Sequence, residues 1–328
     1  MIINVSKIID LNKAWSGEYR EPVEETTTAS GRQEVSSLWV GIVLGVAVVC
    51  AGVAYPVTSA ALRFTSASVI TTTRALAGGL LMLPVLRIVG AHLPRDRRAW
   101  TWAVLISIGN VVLTLAGIAE GTRLAGAAIA AVLLNSAPFY AALAARIWLG
   151  ERLSRRQALG LIVGFAGILL IVASQRGSPG SDVGLGIIIC LSGALGWAAA
   201  GLGMRYLSTR DRAFDVYGAT TAQFLCGGIL LIPYLAATRP TPTDWSSPEL
   251  WASLAFLVIG GTVVTYIGFY FALRHWTSAR VFSWTFLVPA VAVGIEAAQG
   301  NLPGAGATTG MVVVILGVAL VTARDQSS

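Results

Sequence analysis

The chain has 328 residues, of which 55% are hydrophobic and 12% are charged, with a mean hydropathy of +0.73 and a net charge of +7. An ordinary soluble domain carries about 25% charged residues, and its packed core still leaves a large surface that must face water. The composition therefore excludes a soluble globular protein and predicts an integral membrane protein whose partner is the lipid bilayer.

The basic residues stand mostly in short segments between apolar runs, and they are not interleaved with aromatic residues as on a base-stacking surface. We therefore predict no nucleic-acid partner. All three cysteines (Cys50, Cys190 and Cys226) lie within apolar runs, and the two histidines lie between runs. Because this pattern lacks the ligand spacing of a metal site, we predict no metal and no cofactor.

Residues 1–37 differ from the rest of the chain, with six acidic and four basic residues and a polar stretch before the first apolar run. We predict that this segment is a disordered cytoplasmic tail. Its first part, Ile2–Trp15, is mildly amphipathic, and lying on the membrane surface is the alternative for that part.

From Leu38 onwards the chain is a series of apolar runs, each near the roughly 20 residues that cross a bilayer as a helix. The predicted spans are 39–61, 68–89, 100–119, 124–148, 156–174, 184–206, 214–237, 250–273, 279–298 and 305–323. The separation is weak after the third and the eighth run, so nine or eleven spans are the alternatives. The predicted fold is an all-α membrane protein with ten transmembrane helices.

Loop charges orient these spans. With the N-terminus in the cytoplasm, fourteen arginines fall in inside segments and four, at positions 63, 123, 176 and 239, fall in outside loops. The positive-inside rule then places both termini in the cytoplasm. We predict a multi-pass protein of the cell (cytoplasmic or inner) membrane.

The two halves of the chain share residues at a nearly constant shift. The segment Arg74–Pro84 matches Gln223–Pro233 at a shift of 149, and other matches at 150 or 151 are Gly117 with Gly268, Arg123 with Arg274, Pro138 with Pro289, Gly150 with Gly300 and Gly160 with Gly310. Because the repeat unit holds five spans, an odd number, the second copy must enter the membrane upside down. Two inverted five-helix repeats, at 38–180 and 181–325, are typical of transporters that hold a substrate near the midplane.

The segment from Ala137 to Gly160, with its proline, its Leu-Gly-Glu-Arg turn and its spaced glycines, resembles the EamA-type ten-helix branch of the drug/metabolite transporter superfamily. Gly261-Thr262, Tyr266 and Ala272–His275 are similar to that family's eighth helix, and Arg74 matches an arginine of its second helix. The resemblance covers residues 39 to 323 and implies a transporter. One departure is Asn301, which stands where the family often repeats the glutamate of its Gly-Glu turn.

Arg74 lies inside an apolar run, where a charge costs about 2.5–3.5 kcal/mol at the bilayer centre and so usually faces a cavity or a partner. A structural or gating role and a role in substrate contact are both open for it. Polar and aromatic residues at membrane depth complete the predicted substrate-binding set, the alternative being bonds and packing between helices. The set is Tyr55, Arg74, Asn110, Asn135, Trp197, Gln223, Tyr266 and Trp284.

Glu120 and Glu296 are the acidic residues near membrane depth, and they are the candidates for proton coupling. Glu151 stands among arginines at a turn, beside a Ser154–Gln157 capping-box pattern, and we interpret it as structural. Pro138 and Pro289 are the candidate hinges. We expect a monomer, with a homodimer through Gly-x-x-x-Gly faces as the alternative.

The resemblance implies an exporter of a small metabolite, amino acid or drug-like solute, and together with the repeat it leads us to expect a secondary transporter that works by alternating access. The sequence predicts no catalytic residue and no enzyme, because paired aspartates, a Ser/His pair and a His-rich metal site are missing from the spans. An ATP-driven pump is excluded by the lack of a phosphate-binding Gly-rich loop. The alternatives are a receptor or scaffold and, less favoured, an intramembrane enzyme.

Overall fold

The computed structural model describes residues 36–137, 139–140, 155–174, 182–210, 214–238, 242–276, 281, 284–285, 287–301 and 304–322. Within these ranges every regular element is helical. Residues 1–35 of the predicted N-terminal tail, Pro138, Glu151 and Ser154 lie outside the described residues.

The helices of the first half are α1 (Ser37–Ala61), α2 (Ala67–Val89), α3 (Arg97–Ala125), α4 (Ala127–Leu134) and α5 (Arg155–Ser174). Those of the second half are α6 (Val183–Arg210), α7 (Val216–Leu230, continued by Ile232–Ala237), α8 (Pro248–Val258, Ile259–Val264 and Thr265–His275), α9 (Leu287–Ala298) and α10 (Ala305–Thr322). The helices occur in the predicted order, and α1, α2, α5, α7, α8 and α10 begin and end within about two residues of their predicted spans. α3 extends past its predicted span at both ends, and parts of the predicted spans 124–148 and 279–298 lie outside the described residues.

Six of these helices, α1, α2, α3, α6, α7 and α8, are long and apolar enough to cross a membrane. Shorter apolar helices occur at Ala158–Ile171, Leu287–Ala298 and Ala305–Gly317. Large aliphatic side chains such as Ile162, Leu169 and Ile188 point outward from the bundle and suit a surface in contact with lipid. The prediction of a multi-pass, all-helical membrane protein is confirmed, while the count of ten spans stays a prediction.

Short polar residues begin the helices as expected from capping chemistry. The hydroxyl of Ser36 accepts a hydrogen bond from the backbone of Trp39 at the start of α1, and Ser66 does the same for α2. Asp96 caps α3 and Asp215 caps α7. These caps satisfy backbone donors at helix ends.

The bundle has two ends that we name by their loops. The proximal end holds the start of α1, the loop at 90–96 and the start of α7, where the carboxylate of Asp215 accepts a hydrogen bond from the backbone of His92 at 2.9 Å. The distal end holds the loops at 62–66 and 242–247, joined by the backbone bond from Asp244 to Phe64 at 3.0 Å.

Small residues set the closest helix contacts. α5 packs against α10 where Gly164 meets Gly317, and a Cβ on Gly317 would lie 2.4 Å from the backbone nitrogen of Gly164. α3 packs against α6 where Gly109 meets Gly196, at comparably close range. Glycine permits such approach because it presents no side chain, as in many membrane-helix interfaces.

Candidate functional site

Two helices each contain one π-helical turn, which we call a wide turn, and the two wide turns lie at matching positions of the two halves. α3 contains a π-helical turn at Ile108–Leu113, and α8 contains one at Ile259–Val264, at positions that differ by 151. In each case a threonine hydroxyl reaches back to the carbonyl of a glycine at 2.8 Å, Thr114 to Gly109 and Thr265 to Gly260. π-helical turns are rare and often mark functional sites.

Arg74 of α2 is held by the wide turn of α8. Its Nε donates to the hydroxyl oxygen of Thr262 at 2.8 Å, and its Nη2 donates to the backbone carbonyl of Gly261 at 2.5 Å. The Thr262 hydroxyl donates in turn to the carbonyl of Leu257 at 3.0 Å, which leaves its oxygen free to accept. Arg74 is buried, with an exposed fraction of 4%. The atoms that accept its hydrogen bonds are neutral oxygens.

Gln223 of α7 is held in the same manner by the wide turn of α3. The amide nitrogen of Asn110 donates to the side-chain oxygen of Gln223 at 2.7 Å, and the hydroxyl of Tyr266 donates to the amide oxygen of Asn110 at 3.3 Å. The amide of Gln223 also donates to the sulfur of Met204 on α6. Buried polar groups in this region thus have hydrogen-bond partners, as low-polarity surroundings require.

We call Arg74, Asn110, Gln223, Thr262 and Tyr266 the central polar cluster. The two halves make the same kind of connection, because the second helix of each half bonds to the wide turn in the third helix of the other half. Arg74 of α2 bonds to α8, and Gln223 of α7 bonds to α3. Sequence analysis placed four of the five in the substrate-binding set, and the structure brings them together.

Aromatic rings hold the position of Tyr266. Trp197 of α6 meets its ring edge-on at a centroid distance of 5.7 Å, and Phe224 of α7 does so at 4.7 Å. Edge-to-face pairs of this kind contribute about 0.5–1.5 kcal/mol beyond the area they bury. Trp197 and Phe224 therefore pack against the one aromatic member of the central polar cluster.

A narrow cleft runs between α2, α7 and α8, from the proximal side to Tyr266. Its lining is mainly apolar, with hydroxyl groups on the α7 and α8 sides. The lining residues are Met82, Val85, Leu86, Val89, Tyr217, Thr220, Thr221, Tyr266, Ile267 and Tyr270. The cleft therefore ends at the central polar cluster.

The remaining substrate-binding candidates form no hydrogen bond with the central polar cluster among the described residues. Asn135, at the end of α4, donates to the hydroxyl of Tyr55 on α1 at 3.3 Å, and the two form a separate pair. Trp284 packs beside Trp276 and against the start of α1 at Gly41, near the proximal end. Trp284 therefore lies away from the cluster. Sequence analysis included it in the substrate-binding set because it is an aromatic residue at membrane depth.

The two candidate coupling acids are both on the distal half of the bundle. Glu120 accepts from the guanidinium of Arg123 at 2.6 Å and from the hydroxyl of Tyr234 at 2.5 Å. Glu296 on α9 is buried, with an exposed fraction of 6%, and its carboxylate has no ion pair or hydrogen bond with a described residue. The structure thus gives the two carboxylates different surroundings.

Of the two candidate hinges, the described chain contains Pro289, which is buried in the first turn of α9. Gln157 lies in α5, and its side chain is outside the described part. Among the described residues, no three histidine, cysteine or acidic side chains are grouped as metal ligands are.

Sequence reasoning missed Gly261, Met204 and Tyr234 as partners in these contacts. Gly261 acts through its backbone carbonyl, which no side-chain pattern reveals. Its signal was the pair Gly260-Gly261, which matches Gly109-Asn110 at the shift of 151 and marks the two wide turns. Tyr234 directly follows Pro233, one of the repeat-matched prolines.

A family model described as the EamA-like transporter family matches the chain twice, at residues 38–173 and 184–323. The chain belongs to the EamA-like transporter family. The match repeats one domain in each half. Because this is a family of transporters and not of enzymes, membership is compatible with the prediction that the chain is not an enzyme.

Relatives of this EamA-like chain are named as transporters. It is 23% identical over 288 residues to "Uncharacterized transporter YvbV" of Bacillus subtilis, covering 87% of this chain and 92% of that protein. It is 25% identical over 232 residues to "Uncharacterized inner membrane transporter YedA" of Escherichia coli strain K12, covering 70% and 72%. A solved crystal structure shares the fold with a TM-score of 0.60 at 15% identity, covering 87% of this chain and 96% of that one.

Proposed function

We propose that this EamA-like protein is a secondary transporter that exports a small metabolite, amino acid or drug-like solute across the cytoplasmic membrane. The solute binds at the central polar cluster, and the two halves of the bundle rock against each other to open the cluster to one side at a time. The observation that carries this proposal is the cross-connection of the halves, in which Arg74 and Gln223 each bond to the wide turn of the opposite half.

The helix contacts support two inverted five-helix repeats. α3 packs against α6 while its counterpart α8 packs against α1, and α4 packs against α6 while α9 packs against α1. The pairs α2 with α7 and α5 with α10 join counterparts directly. A twofold axis in the membrane plane relates contacts in this way, and it passes between the halves where inverted-repeat transporters bind their substrates.

The bonds in the cluster suit exchange with a solute. In a wide turn some backbone carbonyls are not used in the regular helical hydrogen bonds, as at Gly261, where the carbonyl accepts from Arg74 instead. Such a carbonyl can accept a hydrogen bond from a ligand in the same way. The cross-half bonds have neutral acceptors, and their net strength is about 0.5–1.5 kcal/mol for neutral pairs and about 1.5–3 kcal/mol for the charged one. Such bonds can break and reform during transport because a bound solute offsets their loss.

We propose that both termini and the proximal end are cytoplasmic, following the arginine distribution. The cleft at Tyr266 then opens toward the cytoplasm and receives a solute for export. At the distal end, the contacts of Glu120 with Arg123 and Tyr234 keep α3 and α7 together on the outer side. Pro138 and Pro289 serve as hinges, and the protein works as a monomer.

Proton coupling, if the carrier uses it, is assigned to Glu120 or Glu296. Glu120 already has a cationic partner, so Glu296 is the stronger candidate. A buried carboxylate without a cation can gain and lose a proton as its surroundings change during transport.

Flux into liposomes tests the proposed function. Purified protein is reconstituted, the liposomes are loaded with unlabelled solute, and counterflow of labelled amino acids, organic acids and cationic drugs is measured with and without a proton gradient. We expect saturable counterflow of at least one solute class, absent from protein-free liposomes. Folded protein that carries no solute of a broad panel contradicts the proposal and favours a receptor or scaffold.

A further inference from the structure

No described residue of the protein balances the charge of Arg74. In the described part of the chain no carboxylate forms an ion pair with it, and its hydrogen-bond partners are a hydroxyl and a carbonyl. The ionisable groups that act on it are the phenols of Tyr55 and Tyr266, which are neutral at ordinary pH. Burying an unpaired cation is strongly unfavourable, so a buried guanidinium normally has an anionic partner.

The acidic residues at membrane depth do not supply that partner. Glu120 is bound to Arg123 and Tyr234 at the distal end. Glu296 lies on α9 and has no contact with Arg74. The missing negative charge must therefore come from outside the described chain.

Arg74 still has donors to offer. A guanidinium carries five N–H groups in a planar fork that matches a carboxylate with two parallel hydrogen bonds. Two of its nitrogens are engaged, by Thr262 and Gly261, and Nη1 has no hydrogen bond with a described residue. The guanidinium can therefore bind an anion, either by giving up its hydrogen bonds to Thr262 and Gly261 or by donating from the N–H groups that remain.

The cleft leads to this cation. Met82 and Leu86 line the cleft and lie on the same face of α2 as Arg74, at intervals of four residues through Gly78. On α8 the order from the cleft inward is Tyr270, Tyr266 and then Thr262, the partner of Arg74. Tyr266 thus separates the end of the cleft from Arg74 by about one helical turn.

We propose that Arg74 is the anion-binding group of the substrate site and that the transported solutes are organic monocarboxylates with an apolar body. This proposal rests on the transport function proposed above. The carboxylate pairs with the guanidinium after Tyr266 moves aside, and the apolar body lies against Tyr266, Phe224 and Trp197. One cation surrounded by neutral polar groups selects one negative charge, because a second one would remain buried and unpaired.

Matched carboxylates and amides test the proposal by binding alone. The melting temperature of the purified full-length protein is measured with benzoate against benzamide and with hexanoate against hexanamide. Each amide has the shape of its carboxylate without the negative charge. We expect at least one carboxylate to raise the melting temperature of the wild-type protein while its amide leaves it unchanged.

Variants at Arg74 locate the effect. Arg74→Gln is expected to weaken the apparent affinity for that carboxylate by about 10- to 100-fold, which is the loss of a charge-assisted hydrogen-bond pair. Arg74→Lys keeps the charge and should retain part of the affinity. If Arg74→Gln does not fold, the comparison of carboxylate with amide on the wild-type protein decides by itself.

The proposal is overturned if carboxylates and amides stabilise the wild-type protein equally, if no carboxylate stabilises it, or if Arg74→Gln binds the carboxylate as tightly as wild type. Counterflow measurements distinguish a failure of the anion-site proposal from a failure of the proposed transport function. Flux of neutral or cationic solutes with no carboxylate binding leaves transport standing and removes the anion assignment. Carboxylate binding without any flux supports the anion site and contradicts transport.

Discussion

Replacing Gln223 with leucine is expected to reduce the transport rate at least tenfold while the protein still folds. Leucine has a similar volume, but it cannot accept the hydrogen bond from Asn110, whose amide is then left buried without that partner. Leaving a buried donor unpaired costs about 1–3 kcal/mol. A disturbance of that size at the wide turn of α3 shifts the balance between the two open states, and counterflow of a solute carried by the wild type measures it.

Gln299→Leu is the matched control, because Gln299 is exposed beyond the end of α9. The same chemical change there should leave both flux and melting temperature near the wild-type values. Wild-type flux in a folded Gln223→Leu variant would remove the cluster from the transport mechanism.

Replacing Gly317 with valine is expected to give the largest loss of stability. The new Cβ would lie 2.4 Å from the nitrogen and 2.5 Å from the Cα of Gly164, so α5 and α10 must move apart. Overpacking of this kind destabilises proteins by about 1–3 kcal/mol and occasionally more. The expected value is at the upper end, because the clash is with backbone, and the measurement is the melting temperature in detergent.

Gly294→Val provides the control for this substitution. A Cβ on Gly294 has no other atom within 4 Å, and the residue is exposed on α9. Equal melting temperatures for the Gly317 and Gly294 variants would contradict the close contact between α5 and α10.

The sequence predicted the helices well because membrane solvation imposes a simple rule on them. Each span must be apolar and must satisfy its own backbone, so composition and length locate it. The inward position of Arg74 and Gln223 was also predictable, since two polar residues at matched positions of apolar runs avoid lipid.

The partners within the site were not predictable in the same way. Arg74 and Thr262 are separated by 188 residues, and Asn110 and Gln223 by 113. Which of several polar residues meet depends on helix rotation, and a π-helical turn changes that rotation in the middle of α3 and α8. A pattern of fixed period cannot follow such a change. Trp284 was grouped with the cluster because it is an aromatic residue at membrane depth, and neither property reveals that it packs beside Trp276.

The wide turns connect the fold with the proposed mechanism. Each lies where one half bonds to the other, and each is flanked by a close glycine contact, at Gly109 against Gly196 and at Gly268 against Ala47. Small residues allow helices to slide with little change in packing. We therefore expect motion between the halves to occur at these contacts, with the two turns as the places where hydrogen bonds are exchanged.

The most direct test of this account is the accessibility of the cluster from each side of a sealed membrane. Cys50, Cys190 and Cys226 are replaced by alanine, Asn110→Cys is introduced, and a membrane-impermeant maleimide is applied to right-side-out and to inverted vesicles. The account predicts labelling of this cysteine from both sides, slowed on both sides by a transported solute. Labelling from one side only, with or without solute, would contradict alternating access at the central polar cluster.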